Sequence, residues 1–162
     1  MKGFLSKLLF FILLIIFCIS GTLLFQYARD EYQYRQLEQQ IEEERITLAE
    51  SQFDFSNLIG TNDDIIGWIV IEGTSIDYPV VQGEDNSYYL THDINQVQSK
   101  QGSIFMDYRN SSDLSDNHSI IYGHNMKSGA MFHDLNKYSD QDFFKNHSNI
   151  DFYSLDGLFK WE

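Results

Sequence analysis

Residues Leu8 to Ala28, LLFFILLIIFCISGTLLFQYA, carry no charge. Coiled as an α-helix, the run spans ~31 Å, which matches the hydrocarbon core of a bilayer. Lys2 and Lys7 precede it, and Arg29, Asp30 and Glu31 follow. The positive-inside bias then leaves residues 1–7 in the cytoplasm and places everything after residue 28 outside the cell membrane. A cleaved secretory signal is the rival reading, but the run is long for one and no small-residue cleavage pattern follows it. The expectation is an uncleaved single-pass anchor in contact with membrane lipid.

The formal net charge of the 162 residues is -13, and most of it lies beyond the apolar run. Nucleic acid and anionic lipid surfaces both call for a basic footprint, so neither is expected as a partner. One cysteine is present, Cys18. It falls ~15 Å from either interface of the apolar helix, where a thiol does not readily ionise. It reads as a small apolar filler, and one cysteine allows no disulfide within the chain.

Residues 29–52 are rich in Glu, Gln and Arg. Tyr27, Tyr34, Ile41 and Leu48 recur every seven residues with Leu37 beside them, which gives one narrow apolar stripe on a helix. Asp30, Glu44 and Ser51 occupy the other seam positions, so a stable coiled coil is not expected. The segment reads as a helical stalk that lies against the following domain or lifts it off the membrane, with a dimerising helix as the alternative.

From Phe53 aromatic and β-branched residues become frequent, and turn signals come about every ten residues. GWIVIEGTSIDYPVVQG predicts two strands around a Glu72-Gly73 turn, with Pro79 marking an edge or a bulge. In DNSYYLTHD, Asp85 and Asn86 are candidate caps for a short turn. GSIFMDY and SIIYGH are further strands. Ser128 to Tyr138 predicts a short helix with Ser128 as cap and Met131, Leu135 and Tyr138 on one face. Ser139 and Asp142 form a capping-box pattern for another helix. NIDFYSLDGLFKWE predicts a hairpin turning at Asp156-Gly157. The sum is a mostly-β domain with short helices. It stops at Trp161-Glu162 in the middle of an expected strand, so further strands are expected beyond.

His124 stands where SIIYG ends, the mouth of a strand, with Asn125 next. The spacing of His118, His124 and His133 fits no zinc site, and H-E-x-x-H is absent. His92 and His147 read with them as packed or solvated. Ser119 and Ser128 lie near His124, but no G-x-S-x-G elbow surrounds them. GEDN and DLSD are turns rather than calcium loops. No metal or cofactor is expected.

Three stretches carry more than this. DDIIGWIVIEGTSIDYPVVQGEDNSYYLTHD, GSIFMDYRN and IIYGHNMKSGAMFHDLNKY, in this order and spacing, resemble the class B sortases, membrane-anchored cysteine transpeptidases of Gram-positive bacteria. The resemblance implies a roughly eight-stranded β-barrel over residues 53–162, about six strands of which lie in this chain. It implies an enzyme that cuts the sorting signal of a surface protein after Thr through a thioester and passes the acyl group to a peptidoglycan amine. By the same match His124 is the family's catalytic His, and Asn86, Leu90 and Tyr122 line the substrate groove. The family's TLSTC-like motif and its Arg have no counterpart among these 162 residues. The expectation is therefore a truncated sortase domain, inactive alone. The alternative is a degenerate sortase-like module that binds sorting signals without cutting them.

Overall fold

The computed structural model describes residues 2–50, 56–154 and 157–161. They divide into two compact units, Met1–Gln40 and Ile41–Glu162. Helix α1 (Lys2–Glu50) supplies the whole first unit, and its apolar stretch includes one span long and apolar enough to cross a membrane. Phe10 to Phe25 carry exposed large apolar side chains along that stretch. Proline is absent from α1, and i,i+3 and i,i+4 pairs such as Glu42–Arg45 and Glu31–Arg35 support its polar half.

The second unit is a curled, six-stranded mixed sheet that forms half a barrel. A short helix α2 (Ser56–Ile59) leads into β1 (Ile65–Ile71), β2 (Asp77–Val81), β3 (Ile104–Met106), β4 (Ile121–Tyr122), β5 (Ile150–Ser154) and β6 (Gly157–Trp161). Their order across the sheet is β4-β3-β2-β1-β5-β6. Neighbours are antiparallel except β2 and β3, which pair in parallel through Val80–Ile104 and Val81–Phe105. Strand β1 is central and nearly continuous in apolar residues, and Trp68, Ile69 and Ile71 are all buried. Phe152 of β5, Phe105 of β3 and Val80 of β2 complete the densest part of the core. The C-terminal end of α1 belongs to this unit too. There Ile41 is buried, and Arg45 Nε lies 3.6 Å from Asp77 Oδ2.

Pro79 departs from expectation, for β2 is interior. Tyr78 faces Ile69 in a hydrogen-bonded pair of the β1 ladder, so the next nitrogen points to the other side. Pairing with β3 begins only at Val80, so no ladder bond is lost to the proline. The irregularity sits in β1, between Ile65 and Gly67. The helix expected over 128–138 is a 3₁₀ helix at Phe132–Ser139, preceded by Met131 at φ 56°. Ser128 therefore caps nothing, and Leu135 stays exposed. One residue also shifts the cap of α3 (Gln141–Asn146): Asp140, not Ser139, accepts from the Asp142 and Phe143 amides. In the hairpin Gly157 pairs with Ser154 as a strand residue. The turn residues 155 and 156 lie outside the described residues.

A buried polar knot fixes the long connection between β2 and β3. The Tyr89 side chain is fully buried; its hydroxyl donates to Asp64 Oδ2 at 2.6 Å and accepts from Asn62 Nδ2 at 2.9 Å. Asn62 also donates to the Ile94 carbonyl, and its own oxygen receives Gln96 Nε2. Burial, with the neighbouring Asp64 carboxylate, pushes the Tyr89 phenol up to about 12. A phenol whose folded value exceeds its unfolded ~10 contributes stability below that pH, and loses it as pH rises through the folded value. Tyr89→Phe should cost about 2 kcal/mol, the worth of a hydrogen bond to a charged group. Denaturant melts should show that loss near pH 8. Between about pH 10 and 12 the wild-type chain should lose more stability than the variant, in which the other raised phenols still titrate.

Candidate functional site

Strand β4 ends at Tyr122, and Gly123 carries the chain out of the sheet to His124. Gly123 is needed for space: a Cβ there would stand 2.8 Å from the Phe132 ring and press on the Ile104 side chain. That close approach lets the backbone fold over, so that the Phe132 amide donates to the His124 carbonyl at 2.9 Å. Asn125 and Met131 then form a β-bridge. The buried Met131 holds a left-handed φ to close this turn, a strained geometry maintained by its surroundings. The Asn125 side chain accepts from His133 Nδ1 at 2.9 Å and exchanges weaker contacts with Asn136.

The imidazole of His124 is half-buried, and its Nε2 lies 2.8 Å from the Leu90 carbonyl oxygen. A carbonyl only accepts, so Nε2 carries a proton. Nδ1 is then the ring nitrogen left to take up or give one to a reacting group. Leu90 ends the 3₁₀ turn Tyr88–Leu90, which Asp85 opens by accepting from Ser87 and Tyr88 amides. The Tyr89 knot and the Ser103 amide bond to the Tyr89 carbonyl lock that turn to the rest of the domain.

Asn86, expected as a cap, plays another part. Its Nδ2 donates to Asp107 Oδ2 at 2.9 Å and its Oδ1 accepts from the Tyr108 amide at 3.0 Å. The Tyr122 hydroxyl donates to the same Asp107 oxygen at 3.0 Å. Asn86 and Tyr122 thus meet on a residue that sequence reasoning passed over. Asp107 follows β3 directly and its side chain is 1% exposed. Arg109 clasps it with Nε on Oδ1 and Nη2 on Oδ2, and the Arg109 amide donates as well. The guanidinium, followed by the other donors, holds this carboxyl far below its usual range. The Asp107 hydrogen bond, helped by desolvation, raises the Tyr122 phenol. One sequence signal existed: an Asp-x-Arg pair immediately after a buried apolar strand.

The four residues singled out in the sequence therefore fall on two chain segments, 86–90 and 122–124, joined by two links: Leu90 to His124, and Asn86 to Tyr122 through Asp107. The other histidines are occupied elsewhere or stand in loops. His92 stacks on Tyr88 with ring centroids 4.1 Å apart, and His147 stacks on Phe143.

The Sortase domain family model matches residues 69–162, a stretch that runs from β1 through β6 and includes His124. Sortase B of Listeria monocytogenes is 36% identical over 99% of the chain. The chain belongs to the sortase B family. Among solved structures, a sortase B from Bacillus anthracis superposes with a TM-score of 0.74 at 35% identity, over 82% of this chain and 66% of that one. A Staphylococcus aureus sortase B–substrate complex gives 0.71 at 34% identity, over 78% of this chain and 62% of that one. The Listeria relative is covered over 68% of its length, so this sortase B chain spans about two thirds of its relatives.

Proposed function

We propose that this chain carries the acid–base side of a class B sortase transpeptidase, with Leu8 to Ala28 as membrane anchor, residues 29–52 as stalk and residues 53–162 as the catalytic domain. The observation that carries the reading is the seat of His124: beyond a strand end, with Nε2 spent on the Leu90 carbonyl and Nδ1 free for proton exchange. In the reaction a thiolate attacks the carbonyl carbon of Thr in a sorting signal. The His124 imidazolium gives its proton to the departing amine, leaving a thioester and a neutral ring. A peptidoglycan amine then attacks the thioester, surrenders a proton to that ring, and releases the thiolate. Cys18 lies within the apolar span, so the thiol that His124 serves comes from outside these 162 residues. Asn86, Leu90 and Tyr122 line the groove that holds the sorting signal.

The test joins this sequence to the Cys-bearing strands of a sortase B and measures cleavage of Thr-containing peptides. Cleavage that needs the supplied Cys supports the reading, and a folded joined protein without it overturns it. The anchor makes a separate prediction. Protease added to intact, wall-stripped cells should remove residues 53–162 while the N-terminus stays protected. Full protection of the domain would contradict the orientation.

A further inference from the structure

Asp107 spends both oxygens on five donors: the Arg109 amide and Nε on Oδ1, and Arg109 Nη2, Asn86 Nδ2 and the Tyr122 hydroxyl on Oδ2. Such a carboxylate only accepts, so it dictates what its neighbours have left. Tyr122 has given away its one proton, and its oxygen can only accept from a further partner. Asn86 has committed its carbonyl to the Tyr108 amide and one amide proton to Asp107, and keeps one N–H. Both groups sit about 3 Å from one oxygen, so at most about 6 Å separates the remaining donor from the remaining acceptor. One donor and one acceptor at that spacing complement an amide, which offers a C=O and an N–H.

We propose that Asp107 is a positioning residue that sets the hydrogen-bonding polarity of Asn86 and Tyr122, so that together they receive an amide of the bound peptide. The proposal rests on the groove reading above. Arg109 neutralises the buried charge from the solvent side, where its own side chain is 66% exposed.

The experiment uses the full chain in detergent micelles, with tyrosine labelled at Cζ with carbon-13. The Tyr122 signal is assigned through Tyr122→Phe. In the wild-type chain the Tyr122 phenol should titrate above the ordinary ~10, and in Asp107→Asn it should return toward that value. An unchanged Tyr122 titration in a folded Asp107→Asn chain overturns the proposal. Binding is read with fluorescein-labelled Thr-containing peptides. Asp107→Asn should weaken Kd by about 10-fold, the worth of one hydrogen bond. In the Asn86→Ala, Tyr122→Phe background the same change should add less than about 2-fold, because residues that act through one another are not additive. An equal loss in both backgrounds would mean that Asp107 acts through the fold, and overturns the proposal. Should Asp107→Asn fail to fold, Asn86→Ala and Tyr122→Phe must still couple, and strictly additive effects overturn the proposal. A wild-type chain that binds none of the peptides overturns the groove reading itself, a different result from bound peptide with no role for Asp107.

Discussion

Replacing His124 with alanine, in a protein that joins this sequence to Cys-bearing sortase strands, lowers transpeptidation at least ~10²-fold. That is the low end of what a positioned general acid and base contributes. The expectation follows from the seat of the ring. The Leu90 carbonyl takes the Nε2 proton, and the Phe132 amide and the Asn125–Met131 bridge fix the backbone on either side. Only Nδ1 is left for chemistry, and no neighbouring group among the described residues duplicates it. His118, in the exposed connection before β4, is the control, and its replacement by alanine should leave turnover nearly unchanged. Loss of activity shared equally by both variants would remove the special standing of His124.

Gly102→Ala should unsettle the same ring from a distance. Gly102 adopts φ +60°, where a Cβ costs roughly 1–2 kcal/mol. That Cβ would also stand 2.7 Å from the Leu90 carbonyl oxygen, and closer still to that of Tyr89. Backbone cannot swing aside like a side chain, so crowding adds about 1–3 kcal/mol. The expected loss of stability is about 2–5 kcal/mol, read as a lower midpoint in denaturant. Whatever relief the chain finds must move the Leu90 carbonyl, the acceptor that orients His124. Turnover of the joined protein should therefore fall even at temperatures where the variant is fully folded. An unchanged midpoint would mean that the two loops do not approach so closely.

Much of this was legible in the chain because it is local. The nearly continuous apolar run of β1, the alternation that pairs β5 with β6 and the Asp85 cap each follow from neighbours a few residues apart. Seating His124 at a strand mouth required only the apolar run that ends at Gly123. What could not be read is non-local. Asn86 looked like a cap because its partner, Asp107, is 21 residues away in sequence. Asp107 itself looked like an ordinary strand exit, since nothing in its immediate sequence tells that Asn86 and Tyr122 converge on it. The helix over 128–138 failed for a different reason. Its apolar spacing was helical, but Gly129 and Met131 both take positive φ to bring the chain back to Asn125, so regular structure starts only at Phe132. Pro79 was misjudged because a proline reveals a missing donor but not the side on which that donor would have pointed.

The most direct test of the account is the intact mass of the joined protein after mixing with a Thr-containing sorting peptide and no amine acceptor. The account predicts one acyl adduct, on the supplied Cys, that is released when an amine is added and that forms far more slowly in the His124→Ala variant. Cleavage of the peptide that survives His124→Ala at the wild-type rate, or an adduct on any other residue, would contradict it.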